Sequence, residues 1–253
     1  MNAGIGWSYD IVEPTFMTSR NMRCRCLVGV LWLGSFAAGC GAGESGASSA
    51  PPDVATSRPA TTVRAEGSRP RIVFLGDSLT AGYGLAKDQA VPALVQARLD
   101  ATGLDYEVVN AGVSGDTSAG GLSRLDWALE GDVRVLVVEL GANDGLRGLP
   151  VENMKRNLDE IITRAKTRRI AVLLTGMEAP PNYGAAYTTD YRGVFADLAK
   201  QHDIAFLPFY LDGVAGVSSL NIADGMHPNP EGSRRIEASV WQRLEPLLTS
   251  SVR

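Results

Sequence analysis

Two histidines in 253 residues leave few ways to activate a nucleophile, and only one stands where a turn could aim it. His227 lies in "DGMHPNPEG", where Pro228 disfavours helical geometry at the histidine and holds it in an extended segment. Asp224 precedes it by three residues, near enough for one tight loop to aim a carboxylate at the imidazole and set its tautomer. On spacing alone such a D-x-x-H is equally a capping loop or half a metal site. The group a base could serve is Ser78, which an apolar run delivers into a turn in "RIVFLGDSLTAGYG", Arg71 to Gly84. A serine, a base and an orienting acid are the parts of nucleophilic acyl transfer. His202, in "LAKQHDIAF", reads as a solvated helix-end residue.

The elements that must bring these residues together alternate. Short runs rich in Val, Ile, Leu and Phe read as strands: "RIVFL", "YEVVNAG", "VRVLVVEL", "IAVLLTG" and "IAFLPF". Helical periods separate them. The clearest spans 151–166, with Val151, Met154, Leu158, Ile161, Ile162 and Ala165 on one face; another follows Asn229 as N-cap and Pro230 at the first position, with Ile236, Val240 and Leu244 in a stripe. Near-continuous apolar strands joined by helices predict a parallel sheet covered on both faces, a three-layer α/β/α sandwich with five strands. Ligands of such sheets bind beyond the carboxyl ends of the strands. That edge collects Ser78, the 112–116 and 141–144 segments and the stretch after Thr175.

Composition narrows the functions. A formal charge of −4 and 21% charged residues supply no cationic face for nucleic acid. All three cysteines (Cys24, Cys26, Cys40) precede the first strand, so the folded part holds no disulfide or thiolate metal site, and no metal or cofactor is expected. The glycines of 76–84 lack the Lys-Ser/Thr ending of a phosphate-binding loop. A metal site of Asp77, Asp144, Asp224 and His227 has few histidines for such chemistry. Asp77 and Asp144 read instead as turn residues that accept backbone N–H groups.

Ahead of the domain, Arg20, Arg23 and Arg25 precede an apolar run from Leu27 to Gly39, the order of a secretory signal. At about thirteen residues the run is short of the roughly twenty that span a bilayer. It ends in "AAGC", which resembles the lipobox of bacterial lipoproteins and implies lipidation of Cys40. The predicted organisation is a lipoprotein-type signal over 1–40, with Met17 a candidate start, a linker over 41–69 rich in Ala, Ser, Gly and Pro, and one domain over 70–253. The linker has too little apolar content to fold and spans roughly 30 Å as a coil.

Four blocks, "GDSLTAGYG", "NAGVSGDTS", "ELGANDGLRG" and "DGMHPN", occur in an order that resembles the SGNH hydrolase (GDSL-type esterase) superfamily, above all its bacterial arylesterase and periplasmic thioesterase/lysophospholipase branch. The resemblance covers Arg71 to about Leu248. It implies a flavodoxin-like sheet, Ser78 as nucleophile, His227 as base and Asp224 as its orienter. It further implies an oxyanion hole from the Ser78 and Gly115 backbone N–H groups and the Asn143 amide, with no cofactor. The substrate expected is a small-molecule ester or lipid, met by an exported, periplasmic protein held at the membrane through Cys40. A polysaccharide O-acetylesterase and a non-catalytic lipid- or glycan-binding lipoprotein are the alternatives.

Overall fold

The computed structural model describes residues 69–250. The predicted signal, Cys40 and nearly all of the linker lie outside the described residues. Five parallel strands form one sheet: β1 (Arg71–Gly76), β2 (Glu107–Gly112), β3 (Val133–Glu139), β4 (Ala171–Thr175) and β5 (Ala205–Leu207), in the order β2-β1-β3-β4-β5. Each predicted strand is present; β1 runs one residue beyond its predicted end, and the other four are shorter by one to three residues in all. The trimmed residues, such as Pro208 and Phe209, turn away to build loops.

The helices are α1 (Ser78–Ala81), α2 (Val91–Thr102), α3 (Ser118–Ser123), α4 (Leu125–Ala128), α5 (Ala142–Leu146), α6 (Val151–Thr167), α7 (Ala185–His202) and α8 (Pro230–Ser250). α2 and α8 pack together on one face of the sheet, while α3, α6 and α7 pack on the other. Coverage on both sides explains the unbroken apolar strands: β1 buries Ile72 to Leu75 and β3 buries Val135 to Val138. The edge strand β2 is only half-buried, since it has a neighbour on one side. α6 buries the predicted stripe from Met154 to Ala165. α8 starts as its sequence requires, with Asn229 Oδ1 accepting from the Glu231 and Gly232 N–H groups.

The sheet order puts a topological switch at the end of β1. The chain leaves β1 for β2 on one side and returns to β3 on the other, so loops diverge there and leave a crevice. Gly76, the last residue of β1, is level with Gly112 of β2 and Glu139 of β3. Arg124 locks these ends together. Its guanidinium donates to the carbonyls of Gly76 (2.9 Å) and Ala111 (2.6 Å) and pairs with Asp116 (2.7 Å).

Candidate active site

Ser78 is the first residue of α1, directly beyond β1 at the switch point. Asp77 caps the helix, its Oδ1 accepting from Leu79 N at 3.0 Å, and this fixes the sharp strand-to-helix turn that presents the serine. His227 reaches Ser78 from 149 residues away, with Nε2 2.9 Å from the hydroxyl. Its Nδ1 lies 2.6 Å from Asp224 Oδ2. The loop that carries both is clasped at its base by Ile222 N donating to His227 O and Asn229 N donating to Leu220 O. Asn221 anchors the clasp from inside, its amide donating to the carbonyls of Val214 and Val217.

Burial alone would raise the Asp224 carboxyl, but the N–H groups of His227 and Met226 and the His227 ring hold it below the usual carboxylate value. Asp224 is thus a stable anion that orients the imidazole with Nε2 toward Ser78, leaving it free to accept a proton. The Tyr83 ring covers the imidazole, with centroids 4.6 Å apart. Nothing in the spacing of Tyr83 marked it for this contact.

The expected oxyanion donors are beside the serine, in two different states. Neither the Ser78 nor the Gly115 backbone N–H donates to another described residue, so both are open to a substrate oxygen. Gly115 has φ +86°, a left-handed conformation that disfavours any side chain; a Cβ there would meet only the Arg147 guanidinium, at an ordinary 3.8 Å. The reason for glycine here is conformational rather than crowding. The Asn143 amide is present but engaged: Nδ2 donates to Asp77 Oδ2 at 3.0 Å and to the Asp116 carbonyl at 2.9 Å. To serve an oxyanion it must share the second hydrogen, because the bond to a carboxylate is charge-assisted and the stronger of the two.

Asp77 does more than cap its turn, since it also holds this amide. It is fully buried, and burial pushes its carboxyl up to about 6 against the pull of Leu79 N, Glu139, Asn143 and His227. Asp144 has the structural role read for it, accepting from Ser118 N (2.8 Å) and Oγ (2.6 Å) and so tying α5 to α3. These separate engagements leave no shared centre. Among the described residues, no group of three or more His, Cys, Asp or Glu side chains is placed to hold a metal ion. His202 stands at the end of α7, away from the serine. It is paired with Asp159 at 2.7 Å and largely covered, because α6 packs against α7 there.

A serine hydroxyl, an imidazole and an anionic carboxylate in one hydrogen-bonded line, with two open N–H groups alongside, define the site of a serine hydrolase. Comparison with known proteins agrees. Residues 74–235 match the model of the GDSL-like lipase/acylhydrolase family, and the chain belongs to that family; it is a carboxylic ester hydrolase. It is 44% identical over 178 residues to the esterase TesA of Pseudomonas aeruginosa, covering 70% of this chain and 89% of that one. It is 36% identical over 178 residues to thioesterase 1/protease 1/lysophospholipase L1 of Escherichia coli K12, covering 70% and 84%. The crystal structure of the psychrotrophic esterase EstA from Pseudoalteromonas sp., inhibited by monoethylphosphonate, superposes with a TM-score of 0.67 at 34% identity, covering 71% of this chain and 98% of that one.

Proposed function

We propose that the protein hydrolyses aryl esters, short- to medium-chain acyl esters and acyl thioesters through an acyl-enzyme on Ser78. The observation that carries this reading is the unbroken line from Asp224 through His227 to Ser78. His227 Nε2 takes the hydroxyl proton as Oγ attacks the carbonyl carbon, and the carbonyl electron pair moves to oxygen. The Ser78 and Gly115 N–H groups and the Asn143 amide receive that charge. His227 then returns the proton to the leaving oxygen or sulfur, and water repeats the sequence to release the acid.

The rim supports an acyl or aryl substrate over a sugar. Tyr83, Val113, Leu146, Tyr183 and Met226 are large apolar side chains left exposed, and most belong to the loops that carry site residues. Tyr183 belongs to the segment after β4 and donates its hydroxyl to the Leu146 carbonyl, so that segment borders the site. The relative named thioesterase 1/protease 1/lysophospholipase L1 also supports thioesters and lysophospholipids as substrates. Ser78→Ala should abolish turnover of an aryl ester, and an organophosphonate should add to Ser78 in the wild type only. EDTA should change neither result. Activity lost to EDTA and restored by a divalent ion would overturn the serine mechanism.

The location proposed is the periplasm, at the membrane, through a lipid on Cys40. Support comes from the arginine-then-apolar order of 20–39 and its "AAGC" ending. No helix among the described residues is long and apolar enough to cross a membrane.

A further inference from the structure

The mechanism proposed above leaves unused a buried acid next to the nucleophile turn, and its role deepens that reading. Glu139 ends β3 directly beneath the nucleophile turn and is 1% exposed. Its Oε2 accepts from Thr80 Oγ1 at 2.8 Å and from Asp77 N at 3.3 Å. A Cβ on Gly76 would lie 2.0 Å from Thr80 Oγ1 and 2.7 Å from the same carboxyl oxygen. Residues 76, 77 and 80 are therefore shaped around Glu139. Asp77 in turn accepts from the Asn143 amide, so a chain of contacts runs from Glu139 through Asp77 to an oxyanion donor.

We propose that Glu139 is a positioning residue: a buried acid that props the nucleophile turn and donates its proton to Asp77, so that Asp77 stays the acceptor that aims the Asn143 amide. With one amide hydrogen held by Asp77, the other, which donates to the Asp116 carbonyl, is the one an acyl oxygen can share.

Two buried carboxyls side by side cannot both be ionised unless a cation offsets them. Among the described residues neither Asp77 nor Glu139 has an ion-pair partner. The groups that face the pair are Thr80 from α1, Tyr191 from α7, Tyr210 from the segment after β5 and His227 from the loop before α8. Arg124, the nearby cation, ends on the Gly76 carbonyl and Asp116. Burial, then repulsion from Asp77, pushes Glu139 well above the usual carboxylate range. Both Asp77 oxygens already accept, Oδ1 from Leu79 N and Oδ2 from the Asn143 amide, as an ionised carboxylate does, which leaves the shared proton to Glu139. Glu139 Oε2 accepts two bonds while Oε1 accepts from no described group, so Oε1 is the oxygen free to carry the proton toward Asp77.

The test compares wild type, Glu139→Met, Glu139→Gln and Ser78→Ala on one aryl ester across pH, with thermal melts of each. Glu139→Met removes the donor to Asp77. Its kcat should fall roughly tenfold or more with KM nearly unchanged, and the acid limb of kcat should move to higher pH. Glu139→Gln keeps an N–H donor and should restore both. Infrared spectra at neutral pH should show a protonated carboxylic acid in the wild type that is absent from Glu139→Gln, a reading that survives if the methionine variant does not fold. A wild-type kcat and acid limb in a folded Glu139→Met with only a lower Tm, or no protonated acid in the wild type, would overturn the proposal. Ser78→Ala separates the two failures, because turnover by that variant would instead remove the serine mechanism itself.

Discussion

Asn143 is one residue on which catalysis and architecture pull in different directions. Its amide spends both hydrogens within the protein, yet an oxyanion donor acts only when charge develops. Asn143→Ala should therefore lower kcat by roughly 10²–10³ with a smaller change in KM, measured on an aryl ester and a thioester of equal acyl length. An unchanged kcat with a raised KM would mean that the amide binds ground-state substrate. Asp77 carries a second consequence, for stability. A carboxyl raised from 3.8 to about 6 holds its proton in the native state after the unfolded chain has lost it. Its stabilising effect is full below the unfolded value and is lost as pH rises through about 6. Glu139 is shifted in the same direction, whereas Asp224, lowered, loses its contribution only as pH falls through the acid range. Tm should accordingly be a few degrees higher near pH 5.5 than near pH 7.5, and Asp77→Asn should flatten that dependence in thermal melts.

Among the elements, the loops that meet at the switch point matter more than any single helix. Arg124 is not near the serine in sequence, but it joins the carbonyl ends of β1 and β2 to Asp116, beside Gly115. Arg124→Met leaves two carbonyls and a carboxylate without their donor. It should destabilise the fold by about 3 kcal/mol in urea unfolding and lower kcat as the Gly115 N–H drifts. The clasp under the Asp224–His227 loop works in the same way, holding a local D-x-x-H so that its imidazole meets Ser78 across the sheet edge.

For the whole molecule, the question is where an ester hydrolase with a solvent-facing apolar rim works. If Cys40 carries a lipid, the wild type should sediment with membranes and take up a fatty acid analogue, while Cys40→Ala should become soluble or stall in processing. A wild type that is soluble and unlabelled would leave Cys40 without this role. The described domain has no dependence on that outcome, since its core is closed by α2 and α8 on one face and α6 and α7 on the other.

The amino-acid sequence by itself determined the elements and the site's parts. Apolar runs of strand length, the stripe of α6 and the Asn229-Pro230 start of α8 are local signals, readable because backbone periodicity and capping act over a few residues. Ser78, Asp224 and His227 stood out as candidates in their own turns, but the spacing of Asp224 and His227 alone left a capping loop or half a metal site open, and only the four ordered blocks joined the three. Tertiary structure alone decided what those turns face. Glu139 reads as one more residue of a buried strand, and Tyr83 and Arg124 as ordinary loop and helix-end residues. The longest of their contacts, Arg124 to Gly76, Glu139 to Asp77 and Tyr83 to His227, join segments 48, 62 and 144 positions apart, a separation no local pattern encodes. His202 differed for a related reason: the helix end predicted to be solvated is capped by packing of α6 on α7. The engaged state of Asn143 likewise comes from Asp77 and Asp116, which only the closed sheet edge brings within reach.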